Sequence, residues 1–312
     1  MNAWLARALD RWIIHLACRF DSRSAPPPSP EPTASALIHS DSLFCEPIKP
    51  PSDWRWDGGG AFRFTSPVRT RLGQTDTVFG KFFPAADKWA KQPTAVLLHG
   101  WNAELCYRRL FPYLASRLRR AGVITATIEL PYHMQRRPGH GPVTDFISSD
   151  LASMLEATHQ AVADTRAVCR WFENEGSSSL GLWGFSLGAW LVGLTLRREP
   201  RLRAAVLTTP IARLDRAIAD LAFCAPVRRG LQNQALELEW LNLDWQSPLM
   251  SPERILLVQS RHDLFAPAET VDQLWDAWQR PNMWRLPHGH ISILFSPGSL
   301  KRTASWMGKQ LS

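Results

Sequence analysis

LGLWGFSLGAW, residues 180–190, sets a single serine between two glycines where an apolar run changes character. Leu180–Phe185 reads as a buried strand, and the following LGAWLVGLTLRRE reads as a helix. Neither element wants both glycines, because glycine in a helix or strand interior costs about 1 kcal/mol relative to alanine. A sharp strand-to-helix turn does want them. It holds the central residue in a strained backbone geometry, and side chains two residues to either side would collide. Gly184 and Gly188 therefore serve to present Ser186, with its oxygen clear of the sheet and the amino end of a helix beside it, where developing negative charge is favoured.

Working outward, apolar strands alternate with long helical patterns. TAVLLHG is a buried strand ending on glycine, YRRLFPYLASRLRRAG a helix, VITATIELP a strand closed by Pro131. SSDLASMLEATHQAVADTRAVCRWFENEG reads as a long helix with a serine pair as its N-cap. RAAVLTT, RILLVQS and MWRL continue the strands, TVDQLWDAWQR lies between the last two, and a final helix spans about Ser299–Leu311. Earlier, FRFTSPV and TDTVFGKFFP read as two strands flanking a turn. Such alternation predicts an α/β fold, a mostly parallel sheet covered on both faces. The mostly helical interval Pro210–Pro248 is too long for a simple loop and is expected to form a small cap over the carboxyl edge of the sheet.

The chain has 312 residues, 45% hydrophobic and 21% charged, enough to bury a large core in one decorated α/β domain over residues 54–312. Some of its fifteen tryptophans are expected to line an apolar pocket. A net charge of +8 admits anionic partners. The arginines are scattered, however, and no nucleic-acid motif occurs, so nucleic acid is not the expected partner. Five dispersed cysteines without a CxxC argue against a disulfide framework or zinc site and for a reducing, cytoplasmic setting; no metal or cofactor is expected. Residues 1–20 show helical apolar spacing at Leu5, Leu9, Trp12, Ile13, Leu16 and Phe20, with Arg7, Asp10, Arg11 and Arg19 off the stripe, and Asp10 and Arg11 interrupt the continuous apolar core that a signal peptide needs. This is neither a signal peptide nor a membrane span. It reads as a helix docked on its own domain or, alternatively, as an amphipathic anchor at a membrane surface. Asp21–Ser35, rich in Pro and Ser, reads as an extended linker within an N-terminal region of residues 1–53.

Two segments downstream of Ser186 carry the groups that activate a serine. RILLVQSRHDLFAP puts Asp263 just past a buried strand, though a turn or capping aspartate is the bland reading. MWRLPHGHISIL places His288 and His290 after the last strand. With the elbow, this Ser–Asp–His order resembles the α/β-hydrolase superfamily over about residues 60–312. The resemblance implies that Ser186 is the nucleophile, Asp263 the acid and His290 the base, with His288 the rival for that role. It further implies an oxyanion hole from the backbone N–H of Leu187 and, after His99-Gly100, of Trp101. HGWN in place of HGGG disfavours the branch of esterases acting on bulky tertiary alcohols.

ELPYHMQRRPGHG is expected near the pocket mouth, where Arg136 and Arg137, with His133 and His140, would bind an acidic substrate or else form a solvated basic loop. Its P-Y-x-x-x-R-x-P stretch is similar to that of one poorly characterised branch of the superfamily. The cap aromatics Trp240 and Trp245 suggest an apolar acyl group or simply cap core. The leading expectation is a serine esterase or lipase-like hydrolase acting on a small-molecule or lipid ester. Acyltransferase, thioesterase or amidase chemistry on the same three residues is a second, and a non-catalytic, membrane-associated lipid-binding protein is the third.

Overall fold

The alternating pattern resolves into one nine-stranded sheet in the computed structural model, which describes residues 2–20, 44–85, 90–139, 145–232 and 238–312. The expected linker Asp21–Ser35 and His140 lie outside the described residues. The strands are β1 (Arg55–Gly58), β2 (Ala61–Thr65), β3 (Thr77–Phe83), β4 (Thr94–Leu98), β5 (Ile124–Ile128), β6 (Leu180–Phe185), β7 (Leu202–Thr208), β8 (Ile255–Ser260) and β9 (Asn282–Leu286). Their spatial order is β1-β2-β3-β5-β4-β6-β7-β8-β9. The first three pair antiparallel and join β5 antiparallel, and the rest of the sheet is parallel. β1 was not expected from the sequence: it is only four residues long, all four are exposed, and no buried face marks it.

The parallel strands read as unbroken apolar runs because both of their faces are covered. Along β4, Val96 and Leu98 enter one core and Ala95 and Leu97 the other. The first core is closed by α3 (Leu151–Asn174), α4 (Leu187–Leu196) and α7 (Ala268–Ala277), the second by α2 (Phe111–Arg119) and α8 (Pro297–Leu311). The cap of α3 differs from the expected serine pair: Asp150 accepts a hydrogen bond from the Ser153 N–H at 3.1 Å. A carboxylate at a helix amino end satisfies a free donor and meets the positive end of the dipole. At the antiparallel edge Trp54 stacks on Phe62 and Trp171, with ring centroids 4.2 and 3.9 Å apart, which places several tryptophans in the core.

Between β7 and β8, α5 (Leu214–Asp220) and α6 (Ala225–Gln232), with short 3₁₀ turns, lie over the carboxyl edge of the sheet; residues 233–237 are outside the described set. The N-terminal helix α1 (Ala3–Phe20) docks on this region. Its Ile13, Ile14 and Ala17 pack against Leu221, Phe223 and Phe265. The docked face differs from the expected stripe: Ala6 and Asp10 are fully buried, whereas Leu5 and Trp12 are more than half exposed.

Two close approaches fix the elbow. A Cβ at Gly184 would overlap the backbone of Gly188 and Ala189, and one at Gly188 would overlap the carbonyls of Leu98 and His99. Gly188→Ala should therefore destabilise the fold by about 1–3 kcal/mol, since backbone cannot step aside as a side chain does. Thermal melting of the variant checks this, and an unchanged Tm would show that the packing at the elbow is looser than described.

Candidate active site

Ser186 follows β6 directly and caps α4 with φ 53° and ψ −117°, a conformation that L-residues seldom adopt. Its N–H donates to the Thr208 carbonyl at 3.0 Å and its own carbonyl accepts from Trp190 N–H at 3.0 Å, so both sides of the turn are anchored. The Oγ is thereby held above the sheet, 2.7 Å from His290 Nε2. His290 Nδ1 stands 2.8 Å from Asp263 Oδ2.

Asp263 sits just past β8. Its other oxygen, Oδ1, accepts from the N–H groups of Phe265 and Ala266, each at 2.8 Å. These bonds fix the carboxylate, the carboxylate fixes the imidazole with Nδ1 as donor, and Nε2 is left to accept from Ser186. The Phe265 ring lies against the imidazole at 4.6 Å between centroids and keeps water from that side. Burial disfavours the charged imidazolium, but the Asp263 carboxylate, by charge and hydrogen bond, and Asp10 more than offset it, leaving His290 above its ordinary value of 6.5. A base must be unprotonated to take the serine proton. Any activity that needs His290 to take the Ser186 proton should therefore rise along an acid limb with its midpoint above 6.5. A kcat/KM profile with its midpoint below that value would contradict the arrangement. His288 is not part of this chain of bonds; its carbonyl accepts from His262 N–H at 2.9 Å in the preceding loop.

Leu187 opens α4, so its N–H has no partner within the helix. The Gly100–Trp101 segment runs against Ser186: a Cβ on Gly100 would stand 3.2 Å from Ser186 Cβ. Trp101 is fixed by its indole N–H, which donates to Asp145 at 2.7 Å, and by stacking on Phe223 at 4.9 Å. His99 is wholly buried and held neutral by burial, with Nδ1 on the Gly100 carbonyl at 2.7 Å and Nε2 accepting from Leu130 N–H at 3.0 Å. It braces the loop that carries Trp101.

Above Ser186 and His290 opens a cavity of about 550 Å³, walled by Leu9 and Ile13 of α1, Ile218 and Phe223 of the cap, Phe265 and Leu294. Its surface is nearly all apolar. Trp12, Trp101 and Trp190 line it, whereas Trp240 is buried in the core and Trp245 is exposed away from it. Among the described residues no group of three or more His, Cys, Asp or Glu side chains could hold a metal ion, and no cysteine among them is joined in a disulfide.

The basic loop departs from expectation. Arg136 is fully buried, ion-paired to Asp164 at 2.8 Å and donating to the carbonyls of Thr75 and Glu129. It is an internal strut that braces the loop against α3, and it faces no substrate. His133 is held neutral by burial, pushed down to about 4, and accepts from Asn102 N–H at 3.1 Å. Arg137 is exposed, donates to Asn102 at 2.9 Å and opens onto a separate polar cleft of about 700 Å³. The residue missed from the sequence is Asp10, whose carboxylate reaches the His290 loop from α1. The available signal was the helical stripe Ala6–Asp10–Ile13–Ala17, a carboxylate in the middle of a small and apolar face.

Comparison with known proteins agrees with this fold. The family described as "Alpha/beta hydrolase domain containing 18" matches residues 74–248, more than half of the chain. An uncharacterized protein of Mycobacterium tuberculosis is 27% identical over 211 residues, which are 66% of this chain and 51% of that protein. The chain thus spans about half the length of the curated relatives it matches. An esterase of Pyrococcus furiosus superposes with a TM-score of 0.56 at 17% identity, covering 92% of this chain and 100% of its own. An acetyl xylan esterase from a Paenibacillus species gives 0.58 at 14% identity, covering 94% and 98%. At such identities the likeness is one of fold.

Proposed function

Because the chain belongs to the alpha/beta hydrolase domain containing 18 family and holds a serine, a histidine and an aspartate in hydrogen-bond sequence, we propose that it is a serine hydrolase that cleaves a carboxylic ester of an apolar acyl group. The observation that carries this reading is the 2.7 Å contact of Ser186 Oγ with His290 Nε2 at the floor of an apolar cavity.

The chemistry follows from the geometry. His290 Nε2 takes the Ser186 proton as Oγ attacks the ester carbonyl, and Asp263 stabilises the imidazolium that forms. The carbonyl oxygen becomes an oxyanion, for which the N–H groups of Leu187 and Trp101 are the donors in this reading, each worth roughly 3 kcal/mol. The tetrahedral intermediate collapses to an acyl-enzyme as His290 returns the proton to the departing alkoxide. Water, deprotonated by the same imidazole, then releases the acid. The apolar cavity supports an acyl chain in place of a charged group, since it offers little to compensate a buried charge. Esterases among the structural neighbours lend the reading weight at the level of fold.

A series of p-nitrophenyl esters from acetate to palmitate tests it. Hydrolysis should occur, with kcat/KM rising from the shortest chains as methylenes enter the cavity, each worth up to about 0.8 kcal/mol. No turnover of any ester would overturn it, and turnover of matching thioesters or amides alone would move the reaction to those bonds.

Trp4, Leu5 and Trp12 of α1, with Leu105 and Phe295, are exposed large apolar side chains, of which the last three also line the cavity. Among the described residues no helix is long and apolar enough to cross a membrane. We infer that this rim, with the exposed Arg7 and Arg11 beside it, rests on an anionic lipid surface from which substrate is drawn. Flotation with phosphatidylglycerol vesicles should carry the protein with them, and Trp4→Ala with Trp12→Ala should weaken that; equal recovery with and without vesicles would remove the surface from the account.

A further inference from the structure

Asp10 is the single acidic residue of α1, and it is fully buried. Its Oδ2 accepts from the backbone N–H groups of Leu264 at 3.1 Å and His290 at 2.9 Å, and its Oδ1 from that of Ile291 at 3.1 Å. Leu264 follows Asp263 directly. One carboxylate therefore ties the loop that carries the acid to the loop that carries the histidine, from a helix 280 positions away in the chain. The approach is close: a Cβ added to Gly289 would stand 2.8 Å from Asp10 Oδ2 and 2.9 Å from the Ala6 carbonyl.

A buried carboxylate is a costly anchor. Desolvation opposes its charge, and Asp263 nearby opposes it further; the N–H bonds from His290 and Ile291 and the charge of His290 act the other way. A helix that needed only to be held would be served by an apolar side chain at this position, as at its neighbour Ala6 on the same face. What an apolar residue would not supply is three fixed acceptor bonds across the two loops and a negative charge behind the imidazole. The titratable groups facing His290 are Asp263 from the β8 loop and Asp10 from α1; those facing Asp10 are Asp263 and His290, while Arg7 and Arg11 of the same helix are exposed.

We propose that Asp10 is a positioning residue for the serine-hydrolase site: α1 delivers a carboxylate that sets the spacing of the Asp263 and His290 loops and adds its charge to that of Asp263 behind the imidazole. The proposal rests on the reading of Ser186, Asp263 and His290 given above. It also gives α1 two tasks in one site, because the same helix supplies Leu9 and Ile13 to the wall of the cavity.

The test uses the full chain with Asp10→Asn, Gly289→Ala and, as a control at an exposed position of α1, His15→Gln. The readouts are kcat and KM for the best ester and an NMR titration of the His290 imidazole, assigned with His290→Ala. Asp10→Asn keeps the shape but loses the charge and one acceptor. Its kcat should fall about 10- to 100-fold with KM changed less than about threefold, as expected when a reacting group is misplaced by a fraction of an ångström to an ångström. The His290 midpoint should move to lower pH, and the acid limb of the activity should move with it. Gly289→Ala forces the helix outward without touching any reacting group and should lower kcat in the same way; it carries the test if Asp10→Asn fails to fold. His15→Gln should match the wild type. A folded Asp10→Asn with wild-type kcat and an unmoved His290 titration, differing only in Tm, would make Asp10 a mere anchor and overturn the proposal. If the wild type hydrolyses no ester, thioester or amide, the serine-hydrolase reading fails on its own. The titration still decides Asp10, because a midpoint that shifts in Asp10→Asn shows its hold on His290 and one that stays shows none.

Discussion

Ser186→Ala should abolish ester hydrolysis, lowering kcat by about 10⁴- to 10⁶-fold while leaving the fold intact. The size of the effect follows from what remains. Without Oγ there is no covalent intermediate, and His290 is left to activate a water that nothing positions. The Leu187 and Trp101 N–H groups and the cavity would still bind and polarise an ester, so a residual rate above that in water is expected. Folding should survive, since alanine keeps the Cβ at this strained φ and the backbone bonds to Thr208 and Trp190 are untouched. Measured kcat with equal Tm checks both halves. A loss of only a few-fold would mean that another group is the nucleophile.

His290→Ala should be as severe, because the serine and its base act as one unit and losing either removes the same step. It should also destabilise the fold, for it leaves the Asp263 carboxylate, whose side chain is almost wholly buried, without its partner. His288→Ala should change kcat by less than about threefold, as its side chain takes no part in the bonds that reach Ser186. The paired variants discriminate between two histidines that are two positions apart. Should the effects exchange, with His288→Ala inactive and His290→Ala active, the assignment of the base would be wrong.

The parts of this site that were legible in the sequence are those governed by local backbone geometry. Gly184 and Gly188 flank Ser186 because neighbouring backbone leaves no room for a Cβ, and that constraint is written at fixed spacing whatever the rest of the chain does. Asp263 and His290 follow β8 and β9, and their roles were implied by the resemblance to a superfamily that carries its acid and base at those places, in the chain order Ser, Asp, His. Arg136, expected either to face a substrate or to stand in a solvated basic loop, does neither, because its partner is Asp164 in the middle of α3. A pairing between a loop arginine and a helix interior leaves no pattern in either segment. Asp10 was placed off the apolar stripe of α1, yet it is buried, and the sequence is silent on it for a related reason. Its partners are backbone N–H groups of Leu264, His290 and Ile291, and backbone donors have no residue identity that a sequence could display. The docked face of α1 was likewise misjudged. Counting large apolar residues favoured Leu5 and Trp12, whereas close approach to Gly289 demanded the small Ala6 and left the large side chains outside.

The central claim is that Ser186 is an activated nucleophile at the end of β6. Reaction of the purified protein with a fluorophosphonate probe, followed by peptide mass spectrometry, tests it most directly, because the probe reports the nucleophile without any assumption about the substrate. The account predicts a single stoichiometric adduct on Ser186, absent in Ser186→Ala and in heat-denatured protein. An adduct on another residue, or none on folded protein whose cavity admits a small ester, would contradict it and leave the cavity as a binding site for apolar ligands.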